Sequence, residues 1–422
     1  MTKEILKIFS LLIILIFSKY GLNAQCTLAQ LGIDIDGEAS NNQSGYSVSL
    51  SADGLTLAIG APRNAGGGLQ RGHVRVYKNI SGTWTQQGTD IDGEANSDNS
   101  GYSISLSADG LTVAIGAPFN DGNGSNSGQV RVYKLISGTW TQLGSDIDGE
   151  ATSDNSGWSV SLSSDGLTVA IGATRNAGGG FQRGHVRVYK NISGTWTQQG
   201  ADIDGEADDD WSGYSVSLSA DGLTVAIGAT RNADGGFQSG HVRVYKNISG
   251  TWTQHGTDID GEANNDLSGF SISLSSDGTT VAIGAPDNAG GGTYRGHVRV
   301  YKNISGTWAK QGVDLDGEAD YDNSGHSISL SADGLTLAIG AVNNAGGGNL
   351  RGHVRMYKNI LSTWTKQDSD IGGEANGDAL GQSVSLNSDG LAVAIGAHFN
   401  DGNGSNSGHV RVYQLSCPAF EI

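Results

Sequence analysis

The residues with the most chemical potential in this chain are carboxylates set at one fixed spacing. The phrase Asp-Ile-Asp-Gly-Glu-Ala recurs, with its second acid at Asp36, Asp92, Asp148, Asp204, Asp260 and Asp316 and with Gly372 in the seventh place. The stretches around these recurrences hold 29 of the 43 acidic residues. The densest supplies Asp202, Asp204, Glu206, Asp208, Asp209 and Asp210. Several oxygen ligands close together are what a hard cation needs, so these six are candidate calcium ligands and calcium is the one cofactor the sequence suggests. The competing reading is internal pairing. Every repeat also carries an Arg (Arg75, Arg131, Arg187, Arg243, Arg299, Arg355, Arg411) as a ready partner for the Glu38 column, and Asp caps turn N–H groups by itself.

In a near-perfect repeat, function belongs where one copy departs from the others. Trp211 stands where the other copies have Asn, Gln, Leu or Ala, Trp158 replaces the Tyr46 position, and Phe181 and Phe237 fall in Gly-rich loops nearby. Aromatic side chains beside acids can stack on sugars or anchor a protein partner; the alternative is that they pack on their own repeat. The His73, His185, His241, His297, His353 and His409 column, with Gln129 in the remaining copy, predicts a strand-end hydrogen bond made once per repeat. Residues 121–126 and 401–406 match only the start of an EF-hand loop and read as Asn/Gly turns. No nucleophile elbow, zinc-spaced His pair or phosphate-cradling loop is present, so the chain is expected not to be an enzyme.

What positions these residues is a period of 56 residues, kept without insertion through seven copies. The first copy offers four strands, over 46–51, 55–61, 73–78 and 83–87, the first two joined by Asp53-Gly54. Four short antiparallel strands per copy make a propeller blade, so the fold class is all-β, a seven-bladed β-propeller of 28 strands. Ser47, Ser49 and Ser51 share one face of the first strand and Val48 and Leu50 the other, a small-against-large pattern that lets neighbouring sheets nest. The chain begins with a lone outer strand from Thr27, where Leu28 takes the place of Trp84, and ends after a third strand at 409–414. The first strand therefore completes the last blade and closes the ring. By the same count Cys417 and Cys26 take the adjacent places of Ser81 and Gly82. They are either a disulfide across the closing turn or two free thiols.

Gly60-Ala61-Pro62, Gly116-Ala117-Pro118 and Gly284-Ala285-Pro286 end second strands, each preceded upstream by a Ser-Gly-aromatic start to the first strand. This resembles the FG-GAP repeat of integrin α-chain propellers and of many exported bacterial proteins, over nearly the whole chain after residue 24. The resemblance implies an exported binding or adhesion propeller. Four copies have Thr174, Thr230, Val342 or His398 in place of Pro, and Ser44-Gly45 stands for Phe-Gly. The family's calcium site lies in an Asp-rich first hairpin, and Asp53-Gly54 is too short to provide it.

Composition narrows the partners. With 67 Gly, 4 Pro and 36% hydrophobic residues the 422-residue chain can bury a core. The formal charge of -18 disfavours nucleic acid. Lys3 and Lys7 precede a short apolar run and a cleavage point after Ala24, so residues 1–24 read as a signal peptide and 25–422 as one propeller domain. No later segment is apolar enough to span a membrane. The expectation is a secreted or periplasmic monomer that binds a protein or a glycan, in a calcium-dependent form as one alternative and as a propeller hydrolase or lyase as another.

Overall fold

The computed structural model describes residues 27–416, apart from Gly347. The signal-peptide reading and the Cys26–Cys417 pairing lie outside the described residues. Seven antiparallel sheets of the same build follow one another around a ring. In the first blade strand a is Ser47–Leu50, b is Thr56–Ala61, c is His73–Ile80 and d is Thr83–Gln86, hydrogen-bonded in that order from the centre outward. The last blade is built from Ser383–Leu386, Ala392–Ala397 and His409–Ser416, with Thr27–Gln30 as its outer strand. Thr27 lies opposite Ser416 and Leu28 opposite Leu415, as Trp84 lies opposite Asn79 in the first blade.

Main-chain hydrogen bonds between neighbouring a–b hairpins run unbroken round the centre. Ala52 N–H donates to Ala108 O, Ala108 to Ser164, Ser164 to Ala220, and so on until Ser388 donates to Ala52 at 3.1 Å. A chain of bonds that returns to its first member is a closed ring.

The strand count differs from expectation: each blade has a fifth strand of two residues, for 35 among the described residues. In the first blade this strand e, Ile91–Asp92, pairs with Val74 and His73 at the start of strand c, while d covers Tyr77–Ile80. Strand c is longer than d, and its exposed edge would carry unpaired N–H and C=O groups. The chain therefore returns to the same edge after a short break and buries Ile91 there.

Blades pack large face against small face, as the alternation predicts. Ala58, Val74 and Val76 of the first blade meet Ile104, Leu106, Val113 and Ile115 of the second. Glycine sets the spacing of this joint. A Cβ on Gly60 would lie 2.2 Å from the carbonyl oxygen of Gly101 in the next blade, and Ser47 Oγ donates to that same oxygen at 2.8 Å. At the rim of the blades Trp84 Nε1 donates to Leu31 O at 2.7 Å and Trp140 Nε1 to Gln87 O at 2.8 Å, each reaching the preceding blade. The joint between the sixth and last blades lacks the indole, and there Leu28 N–H donates to Asp368 Oδ2 at 2.7 Å. No helix among the described residues is long and apolar enough to cross a membrane.

Candidate functional site

Chain direction puts all b–c and d–a loops on one rim of the ring, and the two sets interlock. Asp209 N–H donates to Phe181 O at 2.7 Å, Asn265 N–H to Phe237 O at 2.8 Å, and Ser97 N–H to Leu69 O at 2.8 Å. The opposite rim holds the tight a–b turns. There Asp53 Oδ1 accepts from Ser51 Oγ and Leu55 N–H, so the turn carboxylate is used up by the turn.

The recurrent glutamates of the loop rim are paired. Arg75 lies 3.8 Å from Glu38, Arg131 3.6 Å from Glu94, Arg187 3.3 Å from Glu150 and Arg243 3.4 Å from Glu206. Arg299 with Glu262, Arg355 with Glu318 and Arg411 with Glu374 complete the column. The other guanidinium nitrogen of Arg75 donates to Asp36 O at 2.8 Å, and that of Arg243 to Asp204 O at 2.6 Å. Six of these Arg thus tie their blade to the strand e before it, whereas Arg299 donates to Asp314 of its own blade.

The six acids proposed from sequence as one calcium set are divided among different partners. Asp202 Oδ2 lies 3.6 Å from His185 Nδ1 in the third blade, where Asp204 is the strand e residue opposite His185. Glu206 belongs with His241 and Arg243 of the fourth blade. Asp208 pairs with Arg183 at 3.2 Å and Asp209 with Arg231 at 3.6 Å. Asp210 is buried and accepts from the N–H groups of Glu206 and Ala207 and from Asn232 Nδ2.

The histidine column does not make the predicted strand-end hydrogen bond. His73 Nδ1 is 3.6 Å from Asp90 and 3.9 Å from Glu38, beyond hydrogen-bond range. Burial, with help from the neighbouring Arg, pushes His73 and His185 down to about 4 and His241 to about 3, so these imidazoles are neutral and sit among carboxylates.

The single-copy aromatics separate into two groups. Phe181 and Phe237 are each 65% exposed at the tips of the loop rim. Trp211 is half-buried instead of forming an open platform. Its ring lies 3.6 Å from the Arg231 guanidinium, with Arg175 at 5.5 Å, and its Nε1 donates to Asp209 and Gln182. It holds φ at 57°, a left-handed conformation that suits the Asn found at positions 99, 155 and 323 better than an indole. Trp158 lines the central channel in a ring of Tyr46, Tyr102, Tyr214, Phe270 and His326. Its centroid lies 4.8 Å from that of Tyr102 and 5.7 Å from that of Tyr214. Burial raises the Tyr102 and Tyr214 hydroxyls and lowers His326 to about 4.

Beside this aromatic ring, at the channel mouth, each blade contributes one residue from the same place: Arg63, Phe119, Arg175, Arg231, Asp287, Asn343 and Phe399. All are exposed or half-buried. Sequence reasoning passed over this column, although lining up the seven copies shows Arg, Phe, Asp and Asn sharing this one place. It also passed over Asp234, which stands where the other copies have Gly66, Gly122, Gly178, Gly290, Gly346 and Gly402.

The FG-GAP repeat family model matches residues 84–133 and 372–413. No curated protein matches the chain. The matched stretches include Gly116 of Gly-Ala-Pro and Gly101 of Ser-Gly-Tyr, the type of glycine pair that meets at a blade joint. Two matched repeats, set in seven blades of one period and one build, support an FG-GAP repeat β-propeller.

Proposed function

We propose that the chain is a non-enzymatic binding module of adhesion type, working outside the cytoplasm as a monomer, which engages a protein or glycan through its acidic loop rim. The observation that carries this reading is the channel mouth. Six of the seven blades keep the same Trp staple, yet the place that faces the opening holds Arg in three blades, Phe in two, Asp in one and Asn in one. A surface built for architecture alone has no reason to vary where its scaffold repeats. The mouth combines cations, a carboxylate and aromatic edges over a floor of stacked rings, with Phe181 and Phe237 standing out on the rim around it. Aromatic anchors beside hydrogen-bonding groups suit sugar rings and the anchor residues of a protein partner. No residue at the mouth pairs a nucleophile with a base, which supports binding over hydrolysis.

The test is a combined glycan and peptide array probed with the intact protein and with an Arg175→Asn/Arg231→Asn variant, which carries the residue found at Asn343. Binders that the variant loses, at unchanged melting temperature, support the reading. Binders retained at full strength by the variant contradict it.

A further inference from the structure

We propose that Glu206, Asp234, His241 and Asp258, in the fourth blade, form a binding site for a divalent transition cation of the zinc type. This site is separate from the channel mouth, and its failure would leave the binding reading untouched.

Several blades gather one Glu, one His and one Asp beneath the loop rim, as in Glu38, His73 and Asp90. The fourth blade alone adds another carboxylate, because Asp234 replaces the glycine of the other six copies. Its four donor atoms all lie within 4.8 Å of one another. A neutral imidazole wants one donated and one accepted hydrogen bond, yet His241 is fully buried and neither of its ring nitrogens has a partner. Leaving both unsatisfied is costly. Nδ1 points into the cluster, 3.9 Å from Glu206 Oε2. Ligands held at about 2.0–2.2 Å from a tetrahedral zinc lie roughly 3.3–3.6 Å from each other, so a small contraction would complete the shell.

The remaining chemistry agrees. A neutral imidazole has one ring-nitrogen lone pair to offer, and on His241 no hydrogen bond takes it up. Arg243 takes Glu206 through Oε1, and Gln254 donates to Asp258 Oδ1, which leaves one oxygen of each for a metal. Three carboxylates against one guanidinium leave two negative charges for a divalent ion to neutralise. One nitrogen with three oxygens suits zinc, whereas calcium takes six to eight oxygens. The other clusters are filled or stop short of four donors: Lys310 and Arg299 both hold Asp314, Lys366 holds Asp370, Gln129 replaces the histidine in the second blade, and the sets around His73, His185 and His409 have three donors each.

The experiment uses untagged protein stripped with chelator, titrated with zinc chloride by calorimetry, with bound metal counted after dialysis. The intact protein should bind one equivalent, and a tenfold excess of calcium should not displace it. Asp234→Gly, which restores the residue of the other blades, should weaken zinc by about tenfold or more. His241→Gln, which copies Gln129 and so suits the strand, should abolish it. Cobalt in place of zinc should give a visible absorption that both variants lose. No zinc bound by the intact protein, or equal binding by both variants, would overturn the site.

Discussion

The two rims of the ring are made from the same repeats yet behave differently. On the hairpin rim every blade closes its a–b turn with the same Asp, and the residues around it change in few blades. Asp53 and its equivalents close the a–b turns, and exposed apolar side chains repeat there in columns, from Leu55, Leu111 and Leu167 near the centre to Ile80, Ile136 and Ile192 at the c–d turns. On the loop rim the staples repeat but the tips and the mouth do not. Repetition marks what every blade needs in order to pack, and departure marks what one place on the ring does. The apolar columns of the hairpin rim are therefore read as architecture, despite their exposure, and the unlike residues of the loop rim as recognition.

Acid should strain this contrast most. Eight histidines, His73, His185, His241, His297, His326, His353, His398 and His409, are held below the ordinary value of 6.5 by burial, and all lie at the loop-rim end of the blades. The folded protein refuses protons that the unfolded chain accepts. Stability is thus complete above pH 6.5 and is lost as pH falls from 6.5 towards 4. Asp92, Asp204, Glu206 and Asp260, raised mainly by burial, oppose this only near the lower end. Calorimetry across this window should show the melting temperature falling by about 10 °C or more, and a flat profile would contradict the neutral buried imidazoles.

Next in size is the core beneath both rims. Leu57→Ala empties a fully buried place between two blades and should cost about 2–5 kcal/mol in denaturant unfolding. At the closing joint, Cys26 and Cys417 follow the last described pair, Thr27 with Ser416. A thiol count on the folded, oxidised protein should find none free, and reduction should cost about 2–5 kcal/mol. Two reactive thiols would leave that joint held by the Thr27–Gln30 and Ile35–Asp36 strands. The smallest effect is expected at the loop rim. Trp211→Asn gives this blade the residue of three others and relieves a left-handed indole, so stability should change by less than about 0.5 kcal/mol. A large loss would make Trp211 a part of the scaffold.

Most of the fold could be read from residues, because the 56-residue period carries the strand alternation, the small-against-large faces and the offset ends together. Strand e could not. Ile91-Asp92 sits within an acidic phrase that looks like loop, and only the uncovered edge of strand c explains why it pairs. The Arg–Glu column was legible as complementary charge at a fixed spacing. The histidines were not, since their separation of 3.6–3.9 Å from the carboxylates is set by how three elements meet. At 202–210 proximity in sequence hid a division, because Asp202, Asp204 and Asp208 meet the third blade and Glu206, Asp209 and Asp210 the fourth.

The most direct test of the contrast between the rims is amide hydrogen exchange on the protein, free and saturated with its best array binder. The account predicts slowed exchange in the loops around Arg175, Phe181, Trp211 and Arg231, with the a–b turns at Asp53, Asp109, Asp165 and Asp221 unchanged. Protection confined to those turns and to the Leu55 and Ile80 columns would contradict it and move recognition to the hairpin rim.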